Sequence, residues 1–202
     1  MDNKEKIRLV YIDDDHDLSL DEFLDNYKTP FAEVLFETIT FQSNDSYESL
    51  VENMLVQEAN IIIIDSDLFN NKYKCDDRLT GEEFKLLLRK PFPYIEVIVI
   101  SQNDVDDGFR TFPKYNINKN IGFTASEYYT EQLGRILENL ILNILEYRKI
   151  ATKINTNASL ENVLVSKVMN SLNGFSIYED LNKDDIDRLV EAFNEVQRLI
   201  NE

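Results

Sequence analysis

Four consecutive isoleucines, Ile61 to Ile64, constrain the fold more than any other feature of this sequence. The run is short for a helix, and a β-branched side chain at every position favours a strand. Because both faces of such a strand are apolar, both must be covered, as in a parallel sheet with helices on either side. Asp65 follows the last isoleucine. The sequence therefore predicts a carboxylate at the carboxyl end of a buried strand.

Segments typical of strands alternate along the chain with segments of helical periodicity. Further strands are predicted at 7–12, 34–41, 95–100 and, as a short last strand, 115–117. Helices are predicted at 20–27, 45–58 and 81–90, and a final one starts at 124 and runs unbroken past Arg148. Capping-box spacing marks three helix starts: Asp45 with Glu48, Thr80 with Glu83, and Thr124 with Glu127. The pattern indicates a loop at 69–79 and at most a short helix within 102–113. This alternation predicts an α/β fold with a doubly wound parallel sheet.

The charge balance argues against several classes of partner. Among 202 residues, 21 Lys and Arg stand against 38 Asp and Glu, a formal net charge of −17. Such a field repels nucleic acid and anionic lipid, so we expect neither as a partner. No apolar run approaches the ~18 residues that a membrane span needs, and the start MDNKEKIRLV lacks a signal-peptide core. The single cysteine, Cys75, excludes an internal disulfide. We therefore expect a cytoplasmic protein.

Acidic residues end two of the predicted strands. Asp13 and Asp14 follow the first strand, and Asp65 with Asp67 follows the third. Ligands of parallel α/β sheets bind outside the carboxyl ends of the strands, so these carboxylates are expected to converge. Crowded carboxylates repel one another, and a divalent cation such as Mg²⁺ removes the repulsion while binding waters and phosphate oxygens. A carboxylate can also act as a nucleophile and form an aspartyl phosphate. The cluster predicts a Mg²⁺-dependent phosphate site.

Two further side chains are candidates for the same site. Ser101 ends the fourth strand, and its hydroxyl can donate to a phosphoryl oxygen. Lys119 follows the predicted last strand and can pair with the same group. For each there is an ordinary alternative, because serines often end strands and many lysines are simply solvated. His16 adjoins the acidic run and is expected to be exposed.

Four segments resemble, in order, the motifs of response-regulator receiver domains. Leu9-Val-Tyr-Ile-Asp-Asp-Asp-His-Asp-Leu18 resembles the opening strand with its paired acids, and Ile61-Ile-Ile-Ile-Asp-Ser-Asp-Leu68 resembles the third strand with the phosphoacceptor. Thr80 to Arg89 is similar to the glycine-led third helix, and Val97 to Ser101 is similar to the fourth strand with its Ser/Thr switch. The resemblance covers about residues 5 to 150 and implies a flavodoxin-like five-stranded sheet.

The resemblance also implies roles for individual residues. Asp65 would accept phosphate from a histidine kinase or a small phosphodonor, and Asp13 and Asp14 would hold Mg²⁺ together with the backbone carbonyl of Asp67. Phosphorylation would then change a protein-binding surface through switch residues. By the same resemblance, those switch residues are Ser101 and Tyr115, with Lys119 as the phosphate-contacting lysine and Lys114 as its rival.

One departure from the family pattern favours a different function. Gly81 falls sixteen positions after Asp65, about twice the family's spacing, and the motif of the fifth strand is weak. The alternative is therefore a phosphate-independent pseudo-receiver that keeps the fold and serves as a protein-interaction module.

An enzyme is the third reading of the same residues. Asp65-Ser-Asp67 after an apolar strand is similar to the nucleophile motif of haloacid-dehalogenase-type phosphatases, and Ser101 is similar to their second motif. That family places its metal-binding acid pair downstream of the nucleophile. Here Asp13-Asp14 lies upstream, and Asp184-Asp185 falls at a predicted helix start. The sequence therefore favours signalling over phosphatase activity.

The last helix and the tail suggest how the chain acts on other proteins. Residues 1–150 are predicted to form the receiver-like domain and residues 151–202 a helical extension, whose five Lys/Arg and nine Asp/Glu give 5 − 9 = −4. Such a charge disfavours a DNA-reading output. Apolar residues of the long helix form a heptad seam: Leu133, Leu137, Leu140, Ile144, Tyr147, Ala151 and Ile154. We expect a homodimer through 125–154 and a protein output partner, the alternative being a helix folded against its own domain.

Overall fold

Five strands alternate with helices in the part of the chain that the structure, a computed structural model, describes: residues 4–42, 44–68, 80–89, 91–102 and 111–155. The strands are β1 (Lys6–Asp13), β2 (Glu33–Thr40), β3 (Ile61–Asp65), β4 (Glu96–Ser101) and β5 (Phe112–Pro113). The helices are α1 (Leu18–Asn26), α2 (Tyr47–Glu52), α3 (Met54–Gln57), α4 (Gly81–Leu88), α5 (Ala125–Glu131) and α6 (Leu133–Asn155). The predicted segments 69–79 and 103–110, and the tail from 156, lie outside the described residues.

All five strands pair in parallel, in the order β2-β1-β3-β4-β5. This is the flavodoxin-like order of doubly wound sheets, so the predicted fold class is confirmed. β1 and β3 are neighbours, with Ile12 opposite Ile64 in the register. The acidic residues that follow these two positions, Asp13 and Asp65, therefore leave the sheet side by side.

Two apolar clusters cover the two faces of the sheet. Ile61 and Ile63 belong to the cluster with α1, α5 and α6, whereas Ile62 and Ile64 belong to the cluster with α2, α3 and α4. All four isoleucines are fully buried. Each buried isoleucine contributes about 1.5–3 kcal/mol relative to an exposed one, which explains why this strand has apolar residues at successive positions rather than at alternate ones.

The second predicted helix is two helices in the structure. Ser46, rather than Asp45, caps α2, and its capping-box partner is Ser49. The helix then stops at Asn53, whose backbone is extended and whose side chain accepts the N–H of Leu55 to start α3. Asparagine favours helix starts because its side chain competes for backbone hydrogen bonds. The prediction of one continuous helix over 45–58 is therefore wrong.

The last strand lies three residues earlier than predicted. β5 is Phe112–Pro113 and not 115–117, because the buried ring of Phe112 packs against Tyr128 and Tyr129 of α5. A proline at the end of an edge strand removes no ladder donor that the sheet needs. The residue that leaves the end of the last strand is consequently Lys114.

The final helix begins at the capping box of Thr124 and Glu127, as predicted, but breaks at Gln132 into α5 and α6. Gly134 has low helix propensity close to this break. From Leu133 to Ala151 the buried residues of α6 cover the chain's own sheet and strand ends, so much of the predicted seam is used within the domain. α6 also crosses the predicted boundary at 150, and the division into two domains stays a prediction.

Arg148 fastens the far end of α6 to the amino ends of the strands. Its guanidinium donates to the carbonyl of Lys6 at 2.9 Å, to the side chain of Glu5 at 2.9 Å and to that of Asn60 at 3.3 Å. α6 therefore spans the sheet from its carboxyl edge to its amino edge.

Among the described residues, no helix combines the length and apolarity that crossing a membrane requires.

Gly81 lets α4 start directly against the end of β3. Its N–H donates to the carbonyl of Ser66 at 2.9 Å, and a Cβ at this position would lie 2.5 Å from the carbonyl oxygen of Asp65. That contact is with backbone, which cannot move aside without disturbing the end of β3.

We predict opposite effects for alanine at two helical glycines. Gly81→Ala should lower the free energy of unfolding by about 1–3 kcal/mol, because overpacking forces the backbone to shift. Gly134→Ala is the matched control: its Cβ would meet only ordinary contacts, the nearest at 3.6 Å, and should stabilise the chain by about 0.5–1 kcal/mol. Urea unfolding measures both, and equal effects would contradict the close approach at Gly81.

Candidate functional site

Three charged side chains meet at the carboxyl edge of the sheet. The Nζ of Lys114 lies 2.8 Å from Asp13 Oδ2 and 2.8 Å from Asp65 Oδ1. The side chains of Asp13, Asp65 and Lys114 are only 2%, 11% and 5% exposed. The structure thus brings together the two predicted carboxylates and neutralises them in part with a lysine from the end of β5.

Lys114 reaches the two carboxylates because β5 ends at Pro113, the residue directly before it. Its N–H donates to the carbonyl of Ser101 at 2.7 Å, which continues the parallel ladder one residue past Pro113. The structure places Lys114 beside the carboxylates, whereas Lys119 is exposed in the turn that follows. The two lysines exchange places relative to the prediction because the last strand ends at Pro113 and not at 117.

Asp13 accepts three hydrogen bonds in the described part of the chain. Its Oδ1 accepts the N–H of Asp15 at 3.1 Å, and its Oδ2 accepts both the Tyr11 hydroxyl and Lys114. Tyr11 is fully buried, and its role was not foreseen from the sequence. The available signal was the alternation of β1, which places residues 11 and 13 on the same side of the strand.

Burial and the neighbouring lysine shift the pKa of Asp65 in opposite directions. Burial raises the pKa of Asp65, Lys114 lowers it in part, and the charge of Asp13 raises it further, so the net direction is upward. Burial alone would lower the pKa of Lys114, but its hydrogen bonds and charge contacts with both carboxylates raise it overall. With all three groups ionised, the cluster carries a charge of −1, which favours a further cation at this edge.

Glu82 forms a second polar cluster that sequence reasoning missed. Its carboxylate accepts the hydroxyl of Ser66, which follows Asp65, at 2.9 Å and that of Thr111, which precedes β5, at 2.9 Å. Burial would raise the pKa of Glu82, but these bonds and those from the helix start lower it overall. The start of α4 is thereby tied to the ends of two strands.

The remaining predicted residues lie around the cluster. Asp14 is half-buried beside Asp13, Ser101 is buried at the end of β4, and Asp67 donates its N–H to Asp65 Oδ2 at 2.8 Å. Tyr115 follows Lys114 and is half-buried. Its hydroxyl donates to the Phe123 carbonyl at 2.7 Å.

His16 is less exposed than expected. Its Nδ1 lies 3.3 Å from Asp21 Oδ1 and its Nε2 lies 3.2 Å from the Thr40 hydroxyl. The ring packs edge-on against Tyr11 at 4.9 Å between centroids. It therefore joins the loop after β1 to the end of β2.

The residues present suit a cation that takes few protein ligands. Within the described ranges, no three His, Cys, Asp or Glu side chains are grouped so as to hold a metal ion by themselves. Mg²⁺ usually keeps several waters and takes only one or two carboxylates together with phosphate oxygens. The residual charge of −1 and the adjacent Asp14 fit that behaviour.

Comparisons with known proteins found similarity at the level of structure only. No protein-family model matches the chain, and no curated protein matches it. Solved structures that are similar include the two-component response regulator RcsB–DNA complex (13% identity, 84% of this chain and 93% of that chain, TM-score 0.36). Two RcsB dimers bound to two parallel DNAs give 13% identity, coverage of 88% and 95%, and a TM-score of 0.40. RcsB from Salmonella enterica serovar Typhimurium, bound to promoter P1flhDC in the presence of phosphomimetic BeF3-, is 14% identical. The match covers 83% of this chain and 92% of that chain, with a TM-score of 0.36.

The strand order and the two central acidic strand ends decide the fold. The chain has a receiver-like fold.

We predict that Lys114 is needed to bury the two carboxylates. Lys114→Met should lower the free energy of unfolding by about 3–5 kcal/mol, because it leaves a buried charge uncompensated. Lys119→Met, at an exposed position, should change it by about 0.5 kcal/mol or less. Urea unfolding at neutral pH measures both.

Two further measurements separate loss of charge pairing from loss of packing. In the Lys114→Met background, Asp65→Asn should recover part of the stability, since one of the unpaired charges is removed. In Lys114→Met itself, Asp65 loses the partner that lowers its pKa, so the stability deficit of this variant should shrink as pH falls toward about 4. A deficit independent of pH and of Asp65 would refute the ionic role.

Proposed function

We propose that this chain is a phosphate-accepting receiver in which Asp65 is the phosphoacceptor. The observation that carries the proposal is the convergence of Asp13, Asp65 and Lys114 at the carboxyl edge of a 2-1-3-4-5 sheet. A nucleophilic carboxylate, an acidic neighbour for a cation and a lysine for phosphoryl oxygens are the groups that this reaction needs.

The chemistry follows from the positions of these groups. A carboxylate oxygen of Asp65 attacks the phosphorus of a phosphohistidine or a small phosphodonor, and the bond from phosphorus to the donor breaks. Lys114 then pairs with a phosphoryl oxygen, and the Ser101 hydroxyl donates to another. Mg²⁺, held by Asp13, Asp14 and the Asp67 carbonyl, would neutralise the charge that builds up on the phosphoryl oxygens.

Hydrogen bonds connect the position of Lys114 at the end of β5 to helix α5. The N–H of the next residue, Tyr115, donates to the Tyr129 hydroxyl of α5 at 3.1 Å, and the Tyr128 hydroxyl donates to the Pro113 carbonyl at 3.0 Å. When phosphate draws Lys114 away from Asp13, these bonds couple the end of β5 to α5. We propose a protein as the output partner, because the charge of −17 disfavours nucleic acid.

A second candidate function is a pseudo-receiver that signals without phosphate. Lys114 already pairs with both carboxylates, so the ionic cluster is satisfied in part without any ligand. In that case the site would be a structural lock and the surface around α5 a constant binding module.

Intact-mass measurement after incubation with acetyl phosphate and Mg²⁺ distinguishes the two functions. A receiver should gain one phosphoryl group, and Asp65→Asn should gain none. Asp25→Asn, at an exposed position on α1, is the matched control and should be phosphorylated like the wild type. If neither acetyl phosphate nor a phosphorylated histidine kinase modifies the wild type, the phosphoacceptor proposal is wrong and the pseudo-receiver is favoured.

We also propose that the chain forms a homodimer through α6. Ile136, Tyr147 and Ile150 lie on one side of this helix and are 37%, 46% and 42% exposed, so apolar surface remains beyond what the sheet uses. Such a stripe at helical spacing can pack against its copy in a second chain.

We predict that charges on this stripe separate the subunits. The double substitution Ile136→Glu and Ile150→Glu should convert a dimer into a monomer in sedimentation equilibrium, with stability of the monomer changed by about 0.5 kcal/mol or less. Leu142→Glu, on a different side of α6 and 40% exposed, is the control and should leave the dimer intact. A monomeric wild type at micromolar concentration would overturn the homodimer.

A further inference from the structure

Tyr11 controls one oxygen of the acidic site from inside the protein. Its ring is fully buried in the core cluster below α1 and α5, and its hydroxyl donates to Asp13 Oδ2. A phenol is not part of the chemistry proposed for Asp65. Its presence on Asp13 therefore calls for a separate role.

The hydroxyl of Tyr11 is held in one orientation. Its oxygen accepts the backbone N–H of Asp17 at 3.5 Å, which directs its own proton toward Asp13. The edge-on ring of His16 at 4.9 Å supports the aromatic plane.

The lone-pair sites of the Asp13 carboxylate limit how a cation can bind to it. A carboxylate offers about four lone-pair sites, two on each oxygen. On Asp13, Tyr11 and Lys114 use both sites of Oδ2, and the Asp15 N–H uses one site of Oδ1. Within the described part of the chain, a single site on Oδ1 remains. Asp13 can therefore bind a cation through one oxygen but not through two.

One-oxygen binding distinguishes between the common divalent cations. Mg²⁺ is small and octahedral, and it takes carboxylates through one oxygen while keeping its waters. Ca²⁺ is larger, takes six to eight oxygens and often binds a carboxylate through both. For Ca²⁺ to use both oxygens of Asp13 while Lys114 stays paired with it, the hydrogen bond from the buried Tyr11 would have to break.

We propose that Tyr11 is a specificity-determining residue, which favours Mg²⁺ over Ca²⁺ by restricting Asp13 to a single ligating oxygen. The inference rests on the proposed function, because it concerns the cation site of that function. In the unphosphorylated chain, Tyr11 and Lys114 together occupy both sites of Oδ2, so removal of the Tyr11 hydroxyl frees one of them.

Calorimetric titration of the full chain with MgCl₂ and with CaCl₂ tests the role of Tyr11. Tyr11→Phe keeps the ring and removes the donor, so Ca²⁺ affinity should rise about tenfold relative to Mg²⁺ affinity, the value of one hydrogen bond to a charged group. Tyr27→Phe is the matched control, because it removes a hydroxyl that donates to the Gly134 carbonyl at 3.3 Å, away from Asp13. It should keep the wild-type ratio.

The possible results separate this inference from the proposed function. Mg²⁺ binding with a Ca²⁺ to Mg²⁺ ratio unchanged in folded Tyr11→Phe overturns the role of Tyr11 alone. A wild type that binds neither cation overturns the cation site and this role together. If circular dichroism shows that Tyr11→Phe does not fold, Tyr11→Met supplies a second donor-free variant, and the same shift is expected.

Discussion

The ion pairs of Lys114 with Asp13 and Asp65 are the interaction on which the rest of this structure depends. Two carboxylates on neighbouring strands of a parallel sheet would repel each other at close range, and burial makes the repulsion stronger. One ammonium between them allows the sheet to keep its register up to the last residue of β3. Because one ammonium compensates only one of the two carboxylates, the arrangement that stabilises the fold also leaves a net charge of −1 at this edge.

The parts of the fold that could be predicted are those that short-range chemistry determines. The isoleucines of β3 and the capping boxes at Thr80 and Thr124 each have one physical explanation. Asp13 and Asp65 could be placed together because parallel strands end at one edge. The two-residue strand β5 could not be found, since its position depends on the packing of Phe112 against α5 and not on any local pattern.

The same reason explains which site residues were missed. Lys114 was named only as a rival because its place follows from the register of β5. Neither Tyr11 nor Glu82 was among the predicted site residues. The hydrogen bonds of Lys114 and Glu82 join residues up to 101 positions apart, and periodicity or spacing along the chain contains no information about such partners.

Arg148 and the acidic cluster lie at opposite edges of the sheet. The carboxylates lie where the strands end, whereas the guanidinium of Arg148 grips the chain where β1 and β3 begin. α6 has 23 residues and a length of about 35 Å, and it connects these two edges of the sheet. A tilt of α6 would therefore move side chains at both edges of the sheet together, because this one helix contacts both.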